Sequence, residues 1–409
     1  MRQGTTYRRC GSCGRTVHQA KARECPNCGG TRISWAYKVD IAPPGADRQL
    51  RSGSGFSSRR EVLEAVARLQ TDKLDGRYVD PSKITLGDYL DKWWAEGTWS
   101  GNTRREYRSS VQYHIKPHIG KLRLQEVTVA DIEKLFTILL REGKRSRGKD
   151  SAPIGEPLSM KTVQNVKICL RKAFNDARGK YLSPNRENPA VITSFKYSRA
   201  QHRPEMQTWT IEEQKKFLDF TTQDRNYLLY VLALTTGMRR GELLGLRRRD
   251  IDLDGTRVHV RRQWTRDGTN GLVIKGLKNG SRQWRTLELD EVTVDLLKTH
   301  LEARKAEQAK WGLGSAEDWV FCHPDGSRYD PDTITKQFQR RAGPASVPVI
   351  RFHDCRHTHA TLLLEDGHSL NYVASRLGDQ EKTVLENYGH VTAKKRAGAA
   401  VRIGELLWG

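Results

Sequence analysis

The stretch ALTTGMRRGELLGLRRRDI, residues 233–251, decides how the rest of this chain is read. Its apolar residues recur at near-helical spacing, and Gly237 supplies a loose backbone where one helix turns into the next. Arg239 stands at that bend. Glu242 follows three residues later on the same helical face, where a carboxylate can aim the guanidinium. Two later segments also place charge by spacing. FHDCRHTHA, residues 352–360, carries His353 and Arg356 at i and i+3, so a helix beginning near Phe352 presents both to one ligand. RLGDQEKTVLENYGHV, residues 376–391, carries Tyr388 close to its end.

A phosphodiester under attack gathers charge on its non-bridging oxygens. Planar guanidinium forks bind such oxygens in bidentate fashion and stay charged at any working pH, so Arg239 and Arg356 suit that task. His353 can exchange a proton near neutral pH. Each residue alone has a plainer reading: arginine-rich helices are usually solvated faces, and a lone histidine or tyrosine is usually structural. The ordered combination is what favours chemistry. His357, Thr358 and His359 read as structural.

In order and local wording these three segments resemble the catalytic domain of the tyrosine recombinases, the phage integrase family, from about residue 205 to the C-terminus. The resemblance implies that Tyr388 attacks the scissile phosphate, leaving a 3′-phosphotyrosyl bond and a free 5′-hydroxyl. A phenol, with a reference pKa of about 10, needs the surrounding cations to do so. The ester conserves the energy of the broken bond, so rejoining needs neither ATP nor metal. The resemblance also implies a lysine on a β-hairpin as general acid. LVIKGLKNGSRQWRTLEL, residues 272–289, reads as two strands around Asn279 and Gly280; Lys278 is the choice and Lys275 the alternative. One position departs from the family. Where histidine or tryptophan usually follows Leu-Gly, this chain has Asp379, a carboxylate that could orient a neighbour but would repel a phosphate.

Composition points to nucleic acid independently. Lysine and arginine total 71 against 48 acidic residues, a formal charge of +23 on 409 residues. DNA is the natural counterpart, although positive charge alone would equally suit RNA or an anionic membrane. The longest apolar run, LLYVLAL, is too short to span a bilayer, and the first residues, MRQGTTYRRCGSCGR, lack an apolar signal region. The expected location is the cytoplasm of a bacterial host, with no membrane partner.

Before the catalytic segment the chain carries three further units. Cys10 and Cys13 in CGSCG, with Cys25 and Cys28 in CPNCGG, form two C-x-x-C pairs whose glycines allow tight turns with backbone amides pointing at the thiolates. Four thiolates favour tetrahedral zinc, and the segment resembles a zinc ribbon. Two disulfides or a redox dithiol are the alternatives, disfavoured by a cytosolic setting and the lack of a thioredoxin-like surround. Cys169, Cys322 and Cys355 read as ordinary thiols.

Trp35, Tyr37, Val39 and Ile41 then alternate along a strand that runs into the turn residues Pro43, Pro44 and Gly45. A basic strand, RQLRSGSGF, leads into the amphipathic helix RREVLEAVARLQTDKL, where Val62, Val66 and Leu69 share a face. This pattern resembles the arm-site DNA-binding domain of many phage integrases. Arg48 and Arg51 on the strand could enter a groove while Arg59 and Arg60 meet phosphates. An exposed basic hairpin without a target is the alternative.

The third unit, from TLGDYLDKWW to SMKTVQNVKICLRKAFNDARGKYL, is helical throughout and resembles the core-binding domain of the family. Thr128 with Asp131 starts one helix as a capping box and Gly143 stops it. EGKRSRGKDSAPIGEPL, from Glu142, reads as a mobile loop. Arg104, Arg105, Arg108, Lys161 and Lys167 are plausible contacts to the DNA backbone, or merely solvated charges. Thr210 and Glu213 form the capping box that opens the catalytic unit. Its tail, ending in Leu406, Leu407 and Trp408, suits docking on a neighbouring protomer or on its own domain.

The expected architecture is therefore multidomain and mainly α with small antiparallel sheets. A zinc ribbon occupies 1–34, a sheet-plus-helix arm-binding domain 35–82, a helical, SAM-like core-binding domain 83–195, and an α+β catalytic domain 205–409. The expected function is site-specific recombination by an integrase of a phage or other mobile element. It would act on core and arm sites of double-stranded DNA as a homo-tetramer, with an accessory DNA-bending or directionality factor, a structural zinc and no catalytic cofactor. The alternatives are a recombinase-derived DNA-binding protein impaired at Asp379 and a type IB topoisomerase-like enzyme.

Overall fold

The computed structural model describes residues 5–19, 22–42, 48–75, 78–146, 152–198, 206–268, 271–277, 284–312 and 318–396, with the side chains from 389 onward excepted. The chain divides into two compact units, residues 1–98 with 106–202 and residues 99–105 with 203–409.

The first unit opens with a four-stranded antiparallel sheet of order β2-β1-β3-β4, built from β1 (Thr5–Cys10), β2 (Thr16–Val17), β3 (Ile33–Asp40) and β4 (Leu50–Phe56). β3 bonds to β1 along one edge and to β4 along the other. Residue 34, the expected boundary between ribbon and arm domain, lies inside this shared strand, so the cysteine segment and the basic strand form one sheet. Helix α1 (Arg59–Leu74) is capped by the Ser58 hydroxyl, which accepts from the Glu61 amide at 3.2 Å. It lays Val62 and Val66 against Val39 and Ile41, with Trp35, Tyr37, Phe56 and Leu69 around them. The turn residues Pro43, Pro44 and Gly45 lie outside the described residues.

Next come α2 (Leu86–Glu96), α3 (Gly101–Ser109), a π-turn at Ser110–Ile115, and α4 (Lys116–Ile119), α5 (Val129–Glu142), α6 (Met160–Ala177) and α7 (Pro189–Ile192). Apolar positions three and four apart on α2, α5 and α6 supply the core: Leu86 and Leu90, Leu135 and Leu139, and Val163, Val166 and Leu170 are all buried. Thr128 and Asp131 make the capping box at the start of α5, and Gly143 caps its end. The loop from Glu142 differs from expectation. Its flanks are joined backbone to backbone, Lys144 N to Glu156 O at 2.8 Å and Ser146 N to Ala152 O at 2.8 Å.

In the second unit α8 (Ile211–Thr221), started by the Thr210–Glu213 capping box, and α9 (Tyr227–Thr236) pack on α11 (Glu291–Lys310), α12 (Pro331–Ala342) and α13 (Asp354–Asp366). α10 (Arg240–Leu243) carries the first arginine motif, and α14 (Leu370–Leu377) and α15 (Glu381–Arg396) carry the last. Two small antiparallel sheets complete the unit: β5 (Ile251–Asp252), β6 (Arg257–Val260) and β9 (Arg285–Glu288) in the order β5-β6-β9, and β7 (Arg262–Arg266) with β8 (Leu272–Gly276). The expected hairpin of residues 272–289 is corrected here. β8 pairs with β7, in register Gln263 with Lys275, while β9 pairs with β6. Both pairings satisfy the same alternation, so the sequence pattern could not choose the partner. Among the described residues no helix is long and apolar enough to cross a membrane.

Candidate active site

Gly237 closes α9 in a left-handed conformation with φ of +63°. A Cβ there would come within 2.8 Å of the His359 ring and of the Leu377 side chain, so the turn requires glycine for its dihedral and for its space. The turn delivers Arg239 to the start of α10. Glu242 reaches back to it, accepting from the Arg239 amide at 2.9 Å and from its Nη1 at 2.9 Å. Arg285 of β9 binds the other side of the same carboxylate with both Nη atoms, at 3.1 and 2.8 Å, and its Nε donates to the Arg376 carbonyl at 3.0 Å. Glu242 is almost fully buried. Burial pushes its carboxyl upward, but the hydrogen bond and charge of Arg285, and then the charge of Arg239, outweigh that and hold it at about 2.

Helix α13 starts at its N-cap residue His353 and places Arg356 in its first turn. Arg356 is 3% exposed and donates from Nη1 to the Gly237 carbonyl at 3.0 Å and from Nη2 to the Leu377 carbonyl at 2.8 Å. The two arginines then meet on one side chain. Asp379 accepts from Arg239 Nη2 through Oδ1 and from Arg356 Nη2 through Oδ2. Burial, followed by the charge of Arg239, lowers the Arg356 pKa below its ordinary value. His353 is open at the surface, yet protein packed around the ring, and then the charges of Arg356 and Arg239, lower its pKa as well. The shift favours the neutral imidazole.

Tyr388 lies on α15, 2% exposed, among Ala360, Leu364, Val373, Ala374, Leu377 and Val384. Its hydroxyl is 2.5 Å from Nδ1 of His357. His357 packs edge-on against His353, with ring centroids 5.1 Å apart. Burial, then the neighbouring His353, brings the His357 pKa down to about 4. The contact with Tyr388 is what sequence reasoning missed at His357; the only available signal was its position one helical turn after His353. His359 is held between the Leu234 carbonyl at 3.0 Å and Arg376 Nε at 3.1 Å, and Thr358 Oγ1 accepts from the Trp209 amide at 3.2 Å.

Lys278 lies outside the described residues. Lys275, the alternative, sits on β8 with its ammonium 2.5 Å from Asp267, a carboxylate that is itself buried. Beside the arginine pair runs a groove of about 1670 Å³, lined in part by Arg239, Arg285, Asp379, His259 and the exposed Trp284.

The residues expected to meet DNA elsewhere are scattered over the first 200 positions of the chain. Arg51 is already engaged, its Nε 3.0 Å from both Tyr78 Oη and Asp80 Oδ1. Arg60 pairs with Glu64 one turn on, at 3.0 Å. Arg48 and Arg59 are exposed, as are Arg105 and Arg108 on α3, with Arg104 half-buried. Lys161 lies over the Tyr197 ring, and Lys167 donates to the Phe195 carbonyl at 2.8 Å.

The sulfurs of Cys10, Cys13, Cys25 and Cys28 all lie within 4.8 Å of one another, with Cys10 to Cys28 and Cys13 to Cys25 each 3.6 Å apart. These separations are too long for disulfides. They are close to the edge of a tetrahedron whose centre lies about 2.3 Å from each sulfur, the zinc–thiolate length. The knuckle turns aim amides inward as the glycines suggested: the Cys13 amide lowers the Cys10 thiol to about 6, and the Arg15 amide lowers Cys13. The donor set fits zinc.

Comparison with known proteins agrees with this geometry. The Phage integrase family matches residues 207–395, and the Phage integrase N-terminal SAM-like domain matches residues 85–140. A tyrosine recombinase XerC-like protein of Caldanaerobacter subterraneus is 27% identical over 350 residues, 81% of this chain and 86% of that protein. The ICEBs1 integrase of Bacillus subtilis is 25% identical over 91% of this chain and 97% of its own length. Among solved structures, the Tn1549 transposon integrase in complex with transposon right end DNA superposes with a TM-score of 0.61 at 20% identity, covering 80% of this chain and all of that one. The XerH site-specific recombinase bound to its difH substrate gives 0.54 at 18% identity, over 85% and 90% of the two chains. Fold, motif order and relatives converge: this chain belongs to the phage integrase family of tyrosine recombinases, enzymes that transfer DNA strands.

Proposed function

We propose that this protein is a site-specific DNA recombinase, the integrase of a phage or other mobile element, that cuts and rejoins strands through a 3′-phosphotyrosyl intermediate. The observation that carries the reading is the convergence of Arg239 and Arg356 on one anion in a unit that also holds Tyr388. In this mechanism the two guanidiniums bind the non-bridging oxygens of the scissile phosphate and neutralise the charge that builds as Tyr388 Oη attacks. The phenolic proton passes to Nδ1 of His357 as the bond from Tyr388 Oη to phosphorus forms and the bond from phosphorus to the 5′-oxygen breaks. The 5′-oxygen departs with a proton from Lys278, or from Lys275 once it parts from Asp267. Glu242 and Arg285 fix the direction of Arg239, and neutral His353 hydrogen-bonds the phosphate beside Arg356. Reversal of these steps on a different strand completes the exchange.

Outside the catalytic centre, the helical unit of residues 83–195 contacts the core site, with Arg104, Arg105, Arg108, Lys161 and Lys167 on the backbone. The sheet of β1 to β4 with α1 reads arm sites through Arg48, Arg59 and Arg60, and Arg51 joins them on release from Asp80. Zinc on the four cysteines is structural. The active assembly is a tetramer on two duplexes in the bacterial cytoplasm, with an accessory factor setting direction.

A second reading, a DNA-binding protein that has lost the chemistry, draws on Asp379 between the arginines. One experiment separates the two. The full chain is incubated with a nicked duplex taken from DNA flanking its own gene, without metal or ATP, beside Tyr388→Phe. A denaturant-resistant protein–DNA band in the wild type alone supports the recombinase. Specific binding without any band supports the binder.

A further inference from the structure

Helix α14 ends in a Schellman turn. Gly378, with φ of +66°, donates to the Ser375 carbonyl at 3.1 Å, and the next amide, that of Asp379, donates to the Ala374 carbonyl at 3.0 Å. This fixes the backbone of Asp379 and directs its side chain at the arginine pair. Each carboxylate oxygen takes one guanidinium, Oδ1 from Arg239 and Oδ2 from Arg356. Arg239 gives Nη1 to Glu242, Arg356 gives Nη1 to the Gly237 carbonyl and Nη2 to the Leu377 carbonyl, and an Nη2 of each also meets Asp379, which so occupies the side on which the two guanidiniums converge. Glu242 is buried behind Arg239, whereas Asp379 is 19% exposed and lines the groove.

We propose that Asp379 is an internal substitute for the scissile phosphate, filling the anion seat of the DNA-free enzyme and yielding it when a phosphodiester arrives. This rests on the reading that Arg239 and Arg356 bind that phosphate. A carboxylate with one oxygen on each guanidinium reproduces the bridge that two non-bridging phosphate oxygens make, and the two anions repel each other too strongly to share the seat. Three guanidiniums and two carboxylates leave this cluster with one net positive charge; Asp379 is the carboxylate placed to move. The exchange keeps small cellular anions off the catalytic cations and reserves the seat for a phosphate delivered by a whole bound duplex.

The test uses inorganic sulfate, a tetrahedral oxyanion, titrated calorimetrically into the full-length wild type, Asp379→Asn and Asp379→Ser, each confirmed folded by circular dichroism. With the competitor gone, sulfate should bind the variants at least about tenfold more tightly, the change expected from freeing charge-assisted hydrogen bonds. Adding Arg239→Ala to either variant should abolish the gain. Folded variants that bind sulfate no better than the wild type, or whose gain survives Arg239→Ala, overturn the proposal. The titration needs no catalysis. Loss of the strand-transfer reading would show instead as absence of the covalent band in every form.

Discussion

The Tyr388 hydroxyl and Nδ1 of His357 lie 2.5 Å apart inside the second unit, joining the tyrosine helix to the helix that carries Arg356. His357 is neutral at pH 7, so one ring nitrogen can accept from the phenol. His357→Phe leaves a buried hydroxyl without that partner and should cost about 1–3 kcal/mol in urea unfolding. Tyr388→Phe made in addition should add little, because the pair acts as one interaction. Additive losses would show that the contact carries no coupling.

Stability should fall as the solution is acidified. His357 and His359 are both held at about 4, in each case first by burial and then by a neighbouring positive or partly positive group, His353 and Arg376 respectively. A histidine whose folded pKa lies below its unfolded value contributes stability that is complete above about 6.5 and is lost as pH falls toward 4. By pH 5 each should have withdrawn about 2 kcal/mol. Unfolding curves at pH 7 and pH 5 check this, and His359→Leu, if folded, should flatten the dependence.

Glu242→Ala removes the carboxylate that neutralises Arg285 and aims Arg239. Breaking a buried pair from one side costs about 3 kcal/mol or more. Formation of the phosphotyrosyl band should drop further than duplex affinity, as measured by single-turnover cleavage beside equilibrium binding. Equal losses would reduce Glu242 to a purely structural group.

Gly237→Ala places a methyl group against His359 and Leu377 at a positive φ. The two penalties together should lower stability by roughly 2–4 kcal/mol. A melting temperature within a degree of the wild type would mean that the turn can relax.

Metal analysis of the purified chain should find one zinc per molecule, and Cys13→Ser should lose it. Chelation should expose the N-terminal sheet to protease while sparing the second unit. A chain that carries no zinc, or a serine variant that retains it, removes zinc from the assignment.

What the sequence disclosed was mostly local. The capping boxes of Thr128 and Thr210, the glycine turn at Gly237, the Arg239–Glu242 pair and the cysteine quartet are set by spacings of a few residues, where geometry is nearly fixed by the element itself. The misses were long-range. β7 rather than β9 pairs with β8, and alternation alone cannot rank two partners of similar pattern. Arg239 meets Asp379 across 140 residues, and Arg285 meets Glu242 across 43, contacts that only the assembled core brings together. His357 looked like packing because nothing in its neighbourhood announces a tyrosine 31 residues away. Lys278 lies outside the described residues.

Strand β3 has a consequence for folding. A strand bonded along both edges transmits disorder from one neighbour to the other, so the knuckles on β1 and the face of α1 that covers Val39 form one cooperative unit. Whatever free energy the four thiolates gained by gripping an ion would then be felt at Val62 and Val66, and removing that ion would lower the melting point of the basic strand on the far side of β3.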